Sequence, residues 1–141
     1  MREKIETALD PIVGEPAWAI GRAGWIVWIQ FGARETVTDR RGTRVVGAYA
    51  LHISGPWTWC RNGVVIADQD SDLADITPIL AQPLMCSGVS ATDSGALRLT
   101  FNDGAELRVY VDFEEEECWR FFRPGRSEPH LVVDADGVRL P

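Results

Sequence analysis

The chain has 141 residues, of which 45% are hydrophobic and 25% are charged, and its formal net charge is −7 at pH 7. This size and composition predict one globular domain with a single hydrophobic core and argue against intrinsic disorder. Nucleic acid and anionic membranes would both repel the negative charge, so neither is expected as a partner, whereas a basic protein would be attracted by it.

The predicted elements begin with a short helix. In the first nine residues Ile5 and Leu9 have the i, i+4 spacing of one helical face, and Pro11 ends the pattern. We therefore predict an N-terminal helical segment over residues 1–13. A β domain is predicted over residues 24–141.

The first two predicted strands flank a polar turn. The segment GWIVWIQFG, residues 24–32, is rich in β-branched and aromatic side chains on both of its faces, so this strand is predicted to be buried on both sides. The turn is TDRRGT, residues 38–43. It leads to a strand over residues 44–54, whose apolar face is predicted to include Val45 and Leu51.

A hairpin is predicted around Asn62-Gly63. This dipeptide lies between two β-rich arms and is typical of a two-residue turn. Such a turn pairs Trp59 with Ile66 and places both on one face together with Val64.

Residues 71–85 are predicted to form a broken helix. Ser71 is a suitable N-cap, Pro78 interrupts the segment and Pro83 ends it. No other internal helix is predicted.

The next hairpin lies in ALRLTFNDGAELRVYV, residues 96–111. A three-residue loop, residues 102–104, sets Phe101 opposite Ala105 and keeps one apolar face, with Gly104 in the left-handed conformation. Further strands are predicted over 118–123 and 131–133.

These elements define the predicted fold class. The chain has about seven or eight short strands, joined mainly by hairpins, together with the broken helix and the short N-terminal helix. No alternation of strands and helices suggests a parallel sheet. The sequence therefore predicts a mainly β protein, built as an antiparallel β-sandwich or a partly open barrel.

Two groups of residues have the chemistry of metal ligands but lack the spacing. The aspartates of DQDSDLAD, residues 68–75, could begin an EF-hand-type calcium loop. Such a loop needs glycine at its sixth position and glutamate at its twelfth, but this sequence has Leu73 and Ile79 there. The aspartates are interpreted as an acidic approach to a helix N-terminus. The cysteines, with His52 and His130, show neither CxxC nor HxxxH spacing. We predict no metal and no cofactor.

Catalytic signatures are also absent from the sequence. It contains no GxGxxG, GxxxxGK[ST], HExxH or GxSxG motif. No catalytic residue is assigned, and the chain is predicted not to be an enzyme.

The cysteines and the N-terminus indicate a cytoplasmic location. Cys60, Cys86 and Cys118 are an odd number without paired spacing, which favours reduced thiols over a secreted disulfide scaffold. The first residues, MREKIETALDPIVG, carry charges throughout and lack the apolar stretch of a signal peptide.

Four consecutive glutamates run directly into an aromatic strand in DFEEEECWRFF, residues 112–122. Strand alternation predicts Trp119 and Phe121 in the core, with Cys118 and Arg120 facing the other way. The glutamates cannot all be buried, so they are predicted to form the connection before this strand. They are either a solvated loop or a rim that binds a basic partner.

The six tryptophans divide into two groups. Trp57 and Trp59, beside Gly55-Pro56 and an exposed turn, are the two least expected in the core. The other four are predicted to be core residues: Trp18, Trp25, Trp28 and Trp119. The predicted partner-binding residues are Glu114, Glu115, Glu116, Glu117, Trp57 and Trp59.

Three segments share the pattern of a known family. They are LHISGPWTW (51–59), GALRLTFNDGAELRVYV (95–111) and EECW (116–119), the last followed by a Pro-Gly turn. This order resembles a family of small bacterial all-β domains of unknown function, with an L-x-I-x-G-P strand, a G-x-L-x-L-x-F-x-D-G hairpin and a Y-E-x-W strand. Glu116 stands where the family has tyrosine. The resemblance implies no activity and no catalytic residues.

By analogy, small acidic all-β proteins of this kind are often immunity proteins, antitoxins that occlude a bacterial toxin. We therefore expect a non-catalytic binding protein, an immunity-type inhibitor of a basic toxin. The alternative is a β-barrel with an apolar, Trp-lined pocket that binds a small molecule. A third hypothesis is a homodimer formed through an exposed sheet edge.

Overall fold

The computed structural model describes residues 1–112 and 117–139. Its helices are α1 (Arg2–Leu9) and α2 (Leu73–Ile76), and 3-10 turns follow them at Asp10–Ile12 and Thr77–Leu80. Its strands, in chain order, are β1 (Pro16–Ala23), β2 (Ile26–Asp39), β3 (Gly42–Ile53), β4 (Trp57–Arg61), β5 (Val64–Asp68), β6 (Leu84–Ala91), β7 (Leu97–Phe101), β8 (Glu106–Val109), β9 (Trp119–Phe122), β10 (Leu131–Asp134) and β11 (Gly137–Arg139).

Within the described residues, the 11 strands form one open antiparallel sheet in the order β11-β10-β9-β3-β2-β1-β6-β7-β8-β4-β5. The prediction of a mainly β protein is confirmed. The predicted count of seven or eight strands is wrong, and one open sheet takes the place of the predicted sandwich or partly open barrel. The strands β1, β6 and β11 were not predicted, because these segments are short or contain glycine, serine or proline, which mask the alternation of a strand.

One hydrophobic core joins both halves of the sheet to the N-terminal helix. Its members include Leu51 of β3 and Leu99 of β7 as well as Ile5 and Leu9 of α1, all fully buried. The i, i+4 pair thus faces the core as the sequence predicted. Each such buried aliphatic side chain stabilises the fold by about 1.5–3 kcal/mol.

The Asn-Gly hairpin between β4 and β5 has the predicted turn, and its register follows a two-residue loop as far as the pair of Cys60 with Val65. Asn62 and Gly63 have φ angles of 52° and 76°, as a type I′ turn requires. After the pair of Cys60 with Val65, a β-bulge in β5 pairs Trp59 with Ala67 instead of Ile66. Ile66 is the extra residue of this bulge and is 41% exposed.

The hairpin between β7 and β8 is confirmed in register. The backbone N–H of Phe101 donates to the carbonyl oxygen of Ala105 at 3.0 Å, and Leu99 lies opposite Leu107. Gly104 has a φ angle of +84°, the left-handed conformation that the three-residue loop demands.

The broken helix is shorter than predicted. Leu73–Ile76 is α-helical and continues only as the 3-10 turn Thr77–Leu80, so the predicted interruption is confirmed. Asp72 is the N-cap residue, and the Ser71 hydroxyl instead accepts a hydrogen bond from the backbone N–H of Asp68 at 2.9 Å. In the described part of the chain, no helix is long and apolar enough to cross a membrane.

The tryptophans predicted in the core follow three different patterns. Trp119 is fully buried, and Phe121 on the same face is also buried, as predicted. Trp25 is 76% exposed, because it lies in the turn between β1 and β2. Trp18 and Trp28 are half-buried on the opposite face of the sheet.

Candidate functional site

Of the predicted partner-binding residues, the structure describes Trp57, Trp59 and Glu117. Glu114, Glu115 and Glu116 lie outside the described residues. Trp57 and Trp59 are 1% and 0% exposed, so their rings pack in the core and not at the surface as the prediction requires. The reason is their position on β4, which lies inside the sheet between β8 and β5.

Glu117, the remaining predicted residue, forms an ion pair with Arg120. Its carboxylate receives a hydrogen bond from Arg120 Nε at 2.9 Å and a second, shorter one from the same guanidinium. These hydrogen bonds raise the pKa of Arg120. A partner that bound Glu117 would have to compete with this ion pair.

Arg120 also organises a row of rings on the sheet. Its Nη1 donates to His130 Nδ1 at 3.0 Å, so this histidine carries its proton on Nε2 when neutral. Phe122 stacks on His130 at 4.3 Å between ring centroids and meets His52 edge-on at 4.7 Å. Burial first and Arg120 second lower the pKa of both histidines.

The row borders a groove of about 540 Å³ on the face of β1, β2, β3 and β9 that points away from the core. Four of its lining residues are aromatic: Trp18, Trp28, His52 and Phe122. Its polar lining residues include Gln30, Arg41 and Arg44. We call this feature the aromatic groove.

A bulge interrupts the long β2–β3 hairpin, which lines the groove. The strand register shifts between Phe31 and Arg34, and the tip of the hairpin then contributes to the groove wall. Gly47 permits this close approach, since a Cβ there would lie 2.5 Å from the Phe31 carbonyl oxygen. Val45, predicted to face the core, is 56% exposed and lines the groove.

The aromatic floor of the groove is held by specific contacts. The Trp28 indole lies across β1 at Gly21, where a Cβ would come within 2.2 Å of the ring. Trp18 Nε1 donates to the Gly32 carbonyl oxygen at 3.0 Å, and the Arg34 guanidinium lies 4.5 Å from the centre of the Trp18 ring. Both rings are therefore fixed in place before any ligand arrives.

The polar wall of the groove carries positive charge. Arg44 pairs with Asp39 at 2.6 Å, and this hydrogen bond is the main reason why the pKa of Asp39 is lowered. Arg41 donates to the same carboxylate only through its backbone N–H, at 2.8 Å. Over residues 1–112 and 117–139, the Arg41 guanidinium forms no salt bridge.

The residues with metal-ligand chemistry do not assemble into a metal site. Within the described ranges, no three His, Cys, Asp or Glu side chains are grouped so that they could hold a metal ion. Asp68 Oδ1 accepts a hydrogen bond from the Asp70 backbone N–H at 2.9 Å, which is local turn geometry. The three cysteines are free thiols.

The aromatic groove was not predicted from the sequence. Trp28 and Gln30 belong to the strand predicted over residues 24–32, and that strand was predicted to be buried on both sides. A usable signal was present in β1, where Ala19 and Gly21 are too small to cover an aromatic neighbour. The sequence did not reveal that β1 lies beside β2, because β1 itself was not predicted.

The fold and the groove together define a mainly β domain with one open antiparallel sheet and a concave aromatic surface. Residues 34–137 match the family of unknown function DUF6188, and the chain belongs to this family. The match includes Arg41, His52 and Phe122 but begins after Trp28. No curated protein and no solved structure matches the chain.

The free energy of unfolding is expected to fall as the pH drops below about 6.5, the ordinary pKa of histidine. His52 and His130 resist protonation in the folded chain because their pKa values are lowered. The unfolded chain takes up those protons first, so acid favours it and stability decreases. Urea titrations at about pH 7.5 and about pH 5.5 measure the difference.

A double substitution of both histidines by glutamine supplies the comparison for this experiment. In this double variant, the free energy of unfolding should differ less between those two pH values, since glutamine does not titrate. An unchanged dependence in the double variant would assign the effect to other groups.

Proposed function

We propose that this chain is a non-catalytic binding domain and that the aromatic groove is its ligand site. The observation that supports this most directly is the volume of the groove, about 540 Å³. Ligand pockets in proteins span about 300–1,000 Å³ and combine apolar walls with a few placed polar groups. We therefore prefer a small-molecule binding protein over the toxin inhibitor. Trp28 lines the groove, whereas Trp57 and Trp59 do not.

The polar side chains of the groove support binding rather than catalysis. Gln30 Oε1 accepts a hydrogen bond from the Gly47 backbone N–H at 2.8 Å, and Arg44 is held by Asp39. His52 is a weak base because its pKa is lowered by burial and by Arg120. These groups are suited to hold a ligand in position.

A fragment library of neutral, cationic and anionic compounds, followed by NMR of the indole N–H signals, tests the proposal. Ligands should shift the signals of Trp18 and Trp28. The variant Trp28→Leu should lose the binding, whereas Trp25→Leu should retain it, because Trp25 is exposed outside the groove. Ligands that bind only elsewhere, or none that shifts either signal, would overturn the assignment of the groove.

A second candidate function is the immunity-type inhibitor of a bacterial toxin, acting in the cytoplasm. The observation that favours it is the net charge of −7, together with an exposed acidic segment around α2. Its members are Asp70, Asp72 and Asp75. Such charge would accelerate the capture of a basic partner. Co-expression with candidate toxins, scored by growth and by gel filtration of the complex, tests this function, and rescue by none would count against it.

If the glutamate run binds a basic toxin, reversing Glu115 and Glu116 to lysine should slow association and weaken its salt dependence. Stopped-flow association at several ionic strengths measures both. The control reverses Glu3 and Asp93, which are exposed and produce the same change in net charge. Equal effects of the two pairs would leave the run without a specific role.

A further inference from the structure

We infer that the aromatic groove binds a small planar aromatic molecule that carries a carboxylate or a phosphate group. This inference rests on the proposed function and names the ligand class for the same site. The aromatic floor, the charge of the wall and the balance of donors and acceptors support it independently.

The floor selects for a flat apolar molecule. Trp28, His52 and Phe122 come from three neighbouring strands and line the same cavity. Their rings are fixed by Gly21 and by the stack with His130, so they present surfaces that do not need to reorganise. Offset or edge contacts with such rings add about 0.5–1.5 kcal/mol to the burial of an aromatic ligand.

The wall selects for negative charge. The chain as a whole carries −7, yet the charged side chains that line the groove are Arg41 and Arg44. The Asp39 carboxylate forms its salt bridge with Arg44, whereas among the described residues the Arg41 guanidinium forms none, although Asp39 lies close enough to feel its charge. An arginine fork is matched to carboxylate and phosphate oxygens, which it binds in bidentate fashion.

The hydrogen-bonding groups of the side chains in the groove favour an acceptor-rich ligand. The acceptor Oε1 of Gln30 is taken by the Gly47 N–H, so its amide nitrogen is the group left to offer. The two arginines are donors only, and neutral His52 offers one donor and one acceptor, so donors outnumber acceptors among these side chains. A cationic or donor-rich ligand would leave these groups unpaired on desolvation, which costs affinity.

Calorimetric titration with matched probes tests the inference. One pair is 1-naphthoate and 1-naphthalenemethanol, and the other is adenosine monophosphate and adenosine. Within each pair, the neutral compound has the same ring system as the anion but lacks its charge. A comparison of the two pairs distinguishes a preference for an aromatic carboxylate from a preference for a nucleotide phosphate. We expect the anion of at least one pair to bind more tightly than its neutral partner by about tenfold or more, the worth of a charge-assisted hydrogen bond.

The variant Arg41→Gln should abolish this preference for the anion, while leaving the neutral probe unaffected. Arg40→Gln is the matched control, since Arg40 is the exposed neighbour in the same turn but does not line the groove. Circular dichroism and the melting temperature establish that both variants are folded. An equal loss in both variants would indicate a general charge effect and overturn the role of Arg41.

The remaining outcomes separate the ligand class from the proposed function. Equal binding of anionic and neutral probes, with loss in Trp28→Leu, would overturn the anionic class but keep the groove as a binding site. No binding of any of the four probes would overturn the inferred class. The broader fragment screen would then decide whether the groove binds ligands at all.

Discussion

Replacing Trp119 with alanine is expected to lower the free energy of unfolding by about 3–5 kcal/mol, the usual cost of deleting a large buried ring. Trp119 is fully buried in β9, where it lies between Ile53 of β3 and Val133 of β10. Its Nε1 donates to the Gly95 carbonyl oxygen at 2.9 Å, which links β9 to the turn before β7. Urea denaturation followed by circular dichroism measures the loss.

A pair of milder variants separates packing from hydrogen bonding. Trp59 is also fully buried and stacks on Phe101, but its Nε1 has no hydrogen-bond partner among residues 1–112 and 117–139. Phenylalanine at position 119 would leave the Gly95 carbonyl unpaired, whereas phenylalanine at position 59 removes a donor that was unpaired already. Trp119→Phe should therefore cost more than Trp59→Phe, by about 1–3 kcal/mol. Equal costs, or a larger cost at Trp59, would contradict this account.

The variant Gly47→Ala is expected to destabilise the chain by about 1–3 kcal/mol and to deform the aromatic groove. A Cβ at Gly47 would lie 2.5 Å from the carbonyl oxygen and 2.9 Å from the nitrogen of Phe31. Both atoms are backbone, so the β2–β3 ladder itself would have to shift. The same shift would move the Gly47 N–H away from Gln30 Oε1. Thermal melts and the indole N–H signals of Trp28 report the two effects.

Gly88→Ala is the matched control. Gly88 also lies at a strand bulge, but the one atom that a Cβ there would approach is the Thr100 hydroxyl oxygen at 2.8 Å, a side-chain atom that can rotate away. The free energy of unfolding of this variant should change by less than about 1 kcal/mol. Alanine lowers the conformational entropy of the unfolded chain, and this gain offsets the small cost of moving the Thr100 hydroxyl. An equal loss in both variants would mean that the bulge at Gly47 has no special role.

The sequence predicted elements wherever the pattern was local. The Asn-Gly turn, the three-residue loop ending at Gly104 and the core positions of Trp119 and Phe121 depend on neighbours within a few residues. Turn residues restrict φ, and strand alternation assigns faces, so such features can be derived without the fold. The same holds for Ile5 and Leu9 on one face of α1.

Predictions failed where a bulge or an unpredicted neighbour changed the outcome. Ile66 is the extra residue of the bulge in β5 and lies partly exposed, and Val45 is exposed at the tip side of the register shift between Phe31 and Arg34. A bulge leaves no reliable signal in a single sequence, because it is stabilised by the partner strand. Burial of Trp57 likewise depends on β8 and not on the adjacent glycine and proline.

The sequence by itself determined the mainly β class, two hairpin turns, the helical face of α1 and a core strand that follows the glutamate run. These follow from side-chain period and from backbone preferences, which act over a few residues. Folding alone brought Trp18, Trp28, His52 and Phe122 to one groove beside Arg41, residues that lie up to about a hundred positions apart. Their proximity depends on the order of strands in the sheet, and that order is fixed by burying one shared core, which no local pattern encodes.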